Sequence, residues 1–188
     1  MTGPYIFLCE GDHDQECIEE ILKSLSIKYL QFSHDKILKT RGGEQKIIRD
    51  FLFDFHSRRY SRHLKAIIKN EKNKDNCIHQ FLQILRSIPS SVEICVLLDS
   101  DNKKTLRELR KKLRDDLGMN LDTISTFCYC LSEAQKIFII PKNLEIEIER
   151  SIGKKIDLCR DRSKRLAIVR DYLSTNPEWV QEFKTCYR

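Results

Sequence analysis

Apolar positions along this chain fall into short continuous runs and helically spaced stripes, and the two alternate. Residues 5–9, YIFLC, are a run of the first kind and predict a buried strand that stops on Glu10. DQECIEEILKSL follows, with Ile18, Ile21, Leu22 and Leu25 at helical spacing and Glu16, Glu19, Glu20 and Lys23 expected to face away. DKILKT at 35–40 predicts a second strand. RGGEQKIIRDFLFDF then gives a glycine pair and a helix with Ile47, Ile48, Phe51, Leu52 and Phe55 on one side. That helix is expected to continue through a basic stretch to about Asn70. NEKNKDN is a polar break, and IHQFLQILRSI is a short helix closed by Pro89.

In the second half, VEICVLLDSD is the clearest strand. KKTLRELRKKLRDDLG is a helix with Leu106, Leu109, Leu113 and Leu117 in register and Gly118 at its end. TISTFCYC and KIFIIP read as two more strands. NLEIEIERSIG fits a helix through Leu144, Ile148 and Ile152, or a strand through its strict alternation. DRSKRLAIVRDYLS is helical, and Asn176 reads as the cap of a last helix with Pro177 at its first position.

This order predicts an α/β fold: a mostly parallel sheet of about four to five strands flanked by helices, in one domain over 1–188. The apolar C-terminal positions Leu166, Val169, Tyr172, Leu173, Trp179 and Phe183 are expected to pack on the core or on a second copy, so a homodimer is one option.

Charge changes the picture more than composition does. The chain is 40% hydrophobic and 33% charged, with a net charge of +6. Between Arg58 and Lys74 there are three Arg and four Lys against one Glu, so this window alone carries the charge of the whole chain. A second basic stretch runs from Lys103 to Arg114. An anionic partner fits both windows, and so does a solvated helix face. No apolar run exceeds about five residues where a membrane span needs about 20. No basic leader precedes a long apolar stretch, so the expected location is cytoplasmic. The eight cysteines include no C-x-x-C, and reduced thiols are expected. The five histidines, His13, His34, His56, His63 and His79, have no zinc-hydrolase spacing.

The candidate chemistry lies in the acids. Ligands of α/β sheets bind beyond the carboxyl ends of the strands. Glu10 ends the first strand, and Asp99 and Asp101 end VEICVLL. In an extended backbone, acids at i and i+2 project to one face. Three carboxylates brought together repel one another, and a Mg²⁺ or Mn²⁺ ion relieves that repulsion. The plainer reading is helix capping, and Asp12 with Gln15 makes a fair capping box.

FLCEGDHD (Glu10, Gly11, Asp14) and CVLLDSD (Asp99, Asp101), with the glycine pair Gly42–Gly43 between them, resemble the Toprim domain over about residues 4–140. This is the metal-binding α/β module of topoisomerases, bacterial-type primases and OLD-family nucleases. IFIIPKNLEIEIE is similar to an element of the small free-standing OLD-like members, with Glu145 as the matching acid. The resemblance implies that Glu10 serves in acid–base catalysis or metal binding, and that Asp99 and Asp101 hold Mg²⁺ or Mn²⁺ with Asp14 and Glu145 in support.

The resemblance further implies a metal-dependent nuclease acting on DNA, ahead of RNA. Arg41, Arg58, Arg59, Arg62, Lys65, Lys103, Lys104 and Lys142 are the expected phosphate contacts. Residues 44–88 exceed the compact Toprim spacing and read as a helical insertion, and 144–188 as a helical extension. No G-x-x-x-x-G-K-[ST] motif occurs, so a full OLD-type ATPase-nuclease is not expected. The rival is a non-catalytic nucleic-acid-binding or regulatory module on the same fold.

Overall fold

The computed structural model describes residues 4–33, 64–87, 92–100, 104–140 and 142–187. In chain order the elements are β1 (Tyr5–Cys9), α1 (Asp12–Ser24), β2 (Lys28–Ser33), β3 (Leu64–Asn70), α2 (Lys74–Ser87), β4 (Glu93–Asp99) and α3 (Lys104–Leu117). Then come β5 (Asp122–Thr123), β6 (Cys128–Ser132), β7 (Gln135–Ile140), α4 (Leu144–Ile152), α5 (Arg162–Ser174) and α6 (Glu178–Cys186). The strands form one seven-stranded sheet in the order β2-β3-β1-β4-β7-β6-β5. Those from β2 to β7 in that order run parallel, and β6 is antiparallel to both β7 and β5.

Strand β1 sits at the centre because all five of its residues are buried. Tyr5, Phe7 and Cys9 enter the face covered by α1, α4, α5 and α6. Ile6 and Leu8 enter the other, under α2 and α3. Each such large apolar side chain contributes about 1.5–3 kcal/mol by leaving water.

The helices after β1 and β4 therefore lie on opposite faces, and these two strands are neighbours. Between them the sheet has its topological switch point, where the carboxyl ends leave a crevice.

The tail packs on its own core. Phe183 of α6 lies 5.5 Å from Phe7 and 5.1 Å from Phe138, centroid to centroid, and Tyr187 stands edge-on to Tyr5 at 5.4 Å. Trp179 Nε1 donates to the Tyr172 hydroxyl (2.8 Å), which joins α6 to α5.

Several expectations are corrected. The described residues alone give the sheet seven strands rather than four or five. The helix expected to reach Asn70 is not there at its end: 64–70 is strand β3, between β1 and β2. Ala66, Ile67 and Ile68 are buried in succession, which a two-sided strand requires and an amphipathic helix does not. The segment 44–88 is thus no purely helical insertion. KYLQFS, read as no element, is β2. TISTFCYC is divided between β5 and β6. NLEIEIERSIG takes its helical reading, with Asn143 as N-cap and Gly153 left-handed (φ 69°) at the C-cap. The last helix is capped by Pro177, one residue later than expected. Glu16, Glu19 and Glu20 do not face away but are buried. The strand expected at 35–40 and the Gly42–Gly43 turn lie outside the described residues.

All eight cysteines are free thiols. A hydrogen bond from Cys128, opposed by burial and helped by the Lys136 charge, pulls Cys186 down to about 7. Cys186 is expected to be the first thiol alkylated at neutral pH, because the thiolate is the nucleophile. Brief iodoacetamide labelling with peptide mass analysis checks this, and earlier modification of Cys130 or Cys159 would refute it.

Candidate active site

Three strand ends supply the site. Glu10 follows β1 directly, Asp99 is the last residue of β4, and β7 runs into the loop that starts α4. Because β1 and β4 are paired in parallel, Glu10 and Asp99 emerge side by side. Glu10 Oε1 accepts the Asp99 backbone N–H at 2.7 Å. The Asp99 carbonyl accepts from Thr105 Oγ1 (2.9 Å), which fixes the start of α3.

Asp14 lies in the first turn of α1 and is 7% exposed. Its Oδ2 accepts the Gly11 N–H at 3.0 Å, so the capping role expected of Asp12 with Gln15 belongs to Asp14. Gly11 is extended (φ −143°), and a Cβ there would meet Asp14 Oδ2 at an ordinary 3.5 Å. Backbone geometry therefore does not demand the glycine. Burial, and then the charges of Asp99, Glu10 and Glu145, push the Asp14 carboxyl well above the usual carboxylate range, against the lowering by the Gly11 N–H. Asp99, Glu10 and Glu145 are thus the carboxylates whose charge acts on Asp14.

Glu145 enters from α4. His13 Nδ1 lies 2.7 Å from its Oε1 and, with burial opposing, holds the carboxyl below the usual range. The β4 end is stitched to the β7–α4 loop as well. Ser100 N–H donates to the Ile140 and Lys142 carbonyls (3.0 Å each), and Ser100 Oγ accepts the Lys142 N–H at 2.8 Å. Sequence reasoning passed over His13 and Ser100. His13 is signalled only by sharing the turn that carries Asp14.

Among the described residues no group of three or more His, Cys, Asp or Glu side chains is arranged to hold a metal ion. Glu10, Asp14 and Glu145 each accept from a protein donor instead. The donor set nonetheless fits a hard divalent cation in its chemistry: all-oxygen, anionic and mutually repelling. Asp101, expected to complete it, lies outside the described residues.

Of the expected phosphate contacts, Arg41, Arg58, Arg59, Arg62 and Lys103 also lie outside them. Lys142 is exposed beside Ser100, and Lys104 is exposed at the start of α3 with Glu108 at 3.6 Å. Lys65 is exposed at the amino end of β3, five residues from the carboxyl edge, or about 17 Å at the usual strand rise.

No protein-family model matches the chain, and no curated protein matches it. Two de novo designed proteins with the P-loop NTPase fold, both solved by solution NMR, are similar to it. One is 13% identical, with 91% of this chain and 90% of that chain covered and a TM-score of 0.35. The other is 10% identical, with 93% of each chain covered and the same TM-score of 0.35. Scores of that size tie the chain to no family, so its function has to be argued from its own residues.

Proposed function

We propose that this protein is a Mg²⁺- or Mn²⁺-dependent nuclease with a Toprim-type carboxylate site. The observation that carries the reading is the convergence of Glu10, Asp14, Asp99 and Glu145 at the switch point of a parallel sheet. Helix capping accounts for Asp14 and first-turn placement for Glu145, but neither accounts for Glu10 and Asp99 meeting at paired strand ends.

Glu10, Asp14, Asp99 and Glu145, together with Asp101, would hold the cation. When bound, it supplies acidification of a water and neutralisation of charge on a phosphodiester. The chain's own groups do the rest. Glu10 is held against the β4 backbone through its Oε1, which fixes where its carboxylate would accept a proton. His13 keeps Glu145 turned into the site. Lys142 and Lys104, both exposed, would supply ammonium groups to phosphates.

The test is cleavage of single- and double-stranded DNA and RNA with Mg²⁺, with Mn²⁺ and with chelator, comparing the native protein with Asp99→Ala and Glu10→Ala. Cleavage that needs the metal and falls by about 100-fold or more in both variants is expected. Normal activity of Asp99→Ala would sink the proposal. Binding without cleavage in all three proteins would leave a non-catalytic nucleic-acid module.

A further inference from the structure

The β3–α2 loop brings a second set of polar groups to the same sheet edge. Asn70 ends β3 beside Cys9, one residue before Glu10, and is 1% exposed. Its carboxamide is engaged at both ends. Nδ2 donates to Asp12 Oδ1 (2.6 Å) and to Gln15 Oε1 (3.3 Å), and Oδ1 accepts the Lys72 N–H (2.9 Å).

Lys72 has φ 69°, in the left-handed region that favours glycine. Its Nζ reaches Asp12 Oδ1 at 3.1 Å, with 37% of the Lys72 side chain and 60% of the Asp12 side chain in water. An ion pair that exposed adds little to stability. The fold thus keeps a lysine where glycine would sit with less strain and gains little from its charge. Strain retained in this way points to use of the side chain.

The opposite flank repeats the arrangement. Lys142 has φ 64° and is pinned through Ser100. In the order β3-β1-β4-β7, Lys72 follows the first strand and Lys142 the last, while the two between them carry Glu10 and Asp99. The axes of β3 and β7 stand three strand spacings apart, about 14 Å.

We propose that Lys72 binds a backbone phosphate of a single nucleic-acid strand on the β3 side of the carboxylates, with Asn70 as its positioning residue and Asp12 as its partner while the subsite is empty. The strand then crosses the sheet edge from the β3–α2 loop toward Lys142. The phosphate displaces Asp12 from the ammonium group, and Asn70 keeps the lysine backbone in place during the exchange. This subsite rests on the nucleic-acid reading above.

The experiment is equilibrium binding of a labelled single-stranded DNA oligonucleotide, and of RNA of the same sequence, to the full chain in chelator across a salt series. Each protein is also melted, and the native protein is assayed separately for cleavage with Mn²⁺. Lys72→Gly is expected to flatten the salt dependence by about 0.7 in log–log slope, the counterion release of one phosphate contact on a single strand. It should melt at the native temperature or about 2–4 °C above it, because glycine relieves the strain. Lys72→Arg restores the slope. Asp12→Asn tightens binding by freeing the ammonium group. Lys28→Ala, the same charge change at the amino edge of β2, leaves the slope alone.

An unchanged slope in Lys72→Gly overturns the subsite and, if the native protein still cuts, leaves the nuclease standing. An equal loss in Lys28→Ala, or a lower melting temperature in Lys72→Gly, also overturns it. Lys72-dependent binding without any cleavage keeps the subsite and removes the nuclease. A native protein that neither binds nor cuts removes both.

Discussion

Arg165→Ala is expected to destabilise the protein by about 3 kcal/mol, the usual loss when one member of a buried ion pair is removed. For a chain of this size that lowers the melting temperature by roughly 6–12 °C. Glu16, on α1, is 3% exposed, and Arg165, on α5, has its side chain 16% exposed. The guanidinium grips the carboxylate with two nitrogens: Nε at 3.0 Å from Oε2, and NH2 at 2.6 Å from Oε1. Its remaining nitrogen donates to the Arg160 carbonyl (2.9 Å) and so anchors the α4–α5 loop.

Among the described residues, truncation leaves the buried Glu16 only the Arg162 guanidinium, at 3.7 Å, to answer it. The double variant Glu16→Met/Arg165→Met should lose much less, since matched apolar side chains replace a buried pair at little cost. Thermal melting of both variants checks this. A drop in Arg165→Ala within about 1 °C would mean that water reaches Glu16.

This interface marks the limit of what the sequence could tell. Strand β1, strand β4, strand β7 and helices α1, α3 and α5 announce themselves because each carries its own apolar run or stripe, whereas the local pattern of α4 fits a strand as well as a helix. Glu16, Glu19 and Glu20 look like a solvated helix face because nothing within their own turn contradicts it. Their partners, Arg162, Arg165 and Arg170, arrive about 150 residues later, after the chain has crossed the sheet.

Strand β3 was hidden by charge. Lys65 and Lys69 extend the basic stretch and imitate the polar side of a helix, yet Lys69 is buried in an ion pair with Glu71 at 2.8 Å. Strand β2 was hidden by its polar residues Lys28, Gln31 and Ser33 at the sheet's edge, where one side needs no core partner.

At the site the same rule holds. Glu10 and Asp99 were legible because acids ending apolar runs are a one-dimensional signal. Asn70 and Lys72 were not, because their role follows from β3 lying next to β1, a fact of topology.

Asp14→Asn is expected to separate stability from function at that site. In chelator, burial and the charges of Asp99, Glu10 and Glu145 hold the Asp14 carboxyl well above the usual range. The folded protein then binds more protons than the unfolded chain between about pH 3.9, the unperturbed value, and the folded value. Stability therefore falls as pH rises through that window, and the full penalty is present above it. Asparagine carries no charge and keeps an oxygen for the Gly11 N–H. The variant should match the native protein near pH 4 and become more stable than it toward neutrality, by about 0.5–2 kcal/mol.

A divalent cation reverses the order. At 100 times its dissociation constant a ligand specific to the folded state adds about 2.7 kcal/mol, and the native protein should gain this from Mg²⁺ or Mn²⁺ while Asp14→Asn gains less. Melting curves across pH, with chelator and with Mn²⁺, read both effects. A difference between the two proteins that does not grow with pH would remove the repulsion argument. Equal stabilisation of both by the metal would remove Asp14 from the metal-binding set. If both effects appear, the acids at this edge are held together at a cost to the empty fold, which is the condition expected of a site built to be completed by a cation.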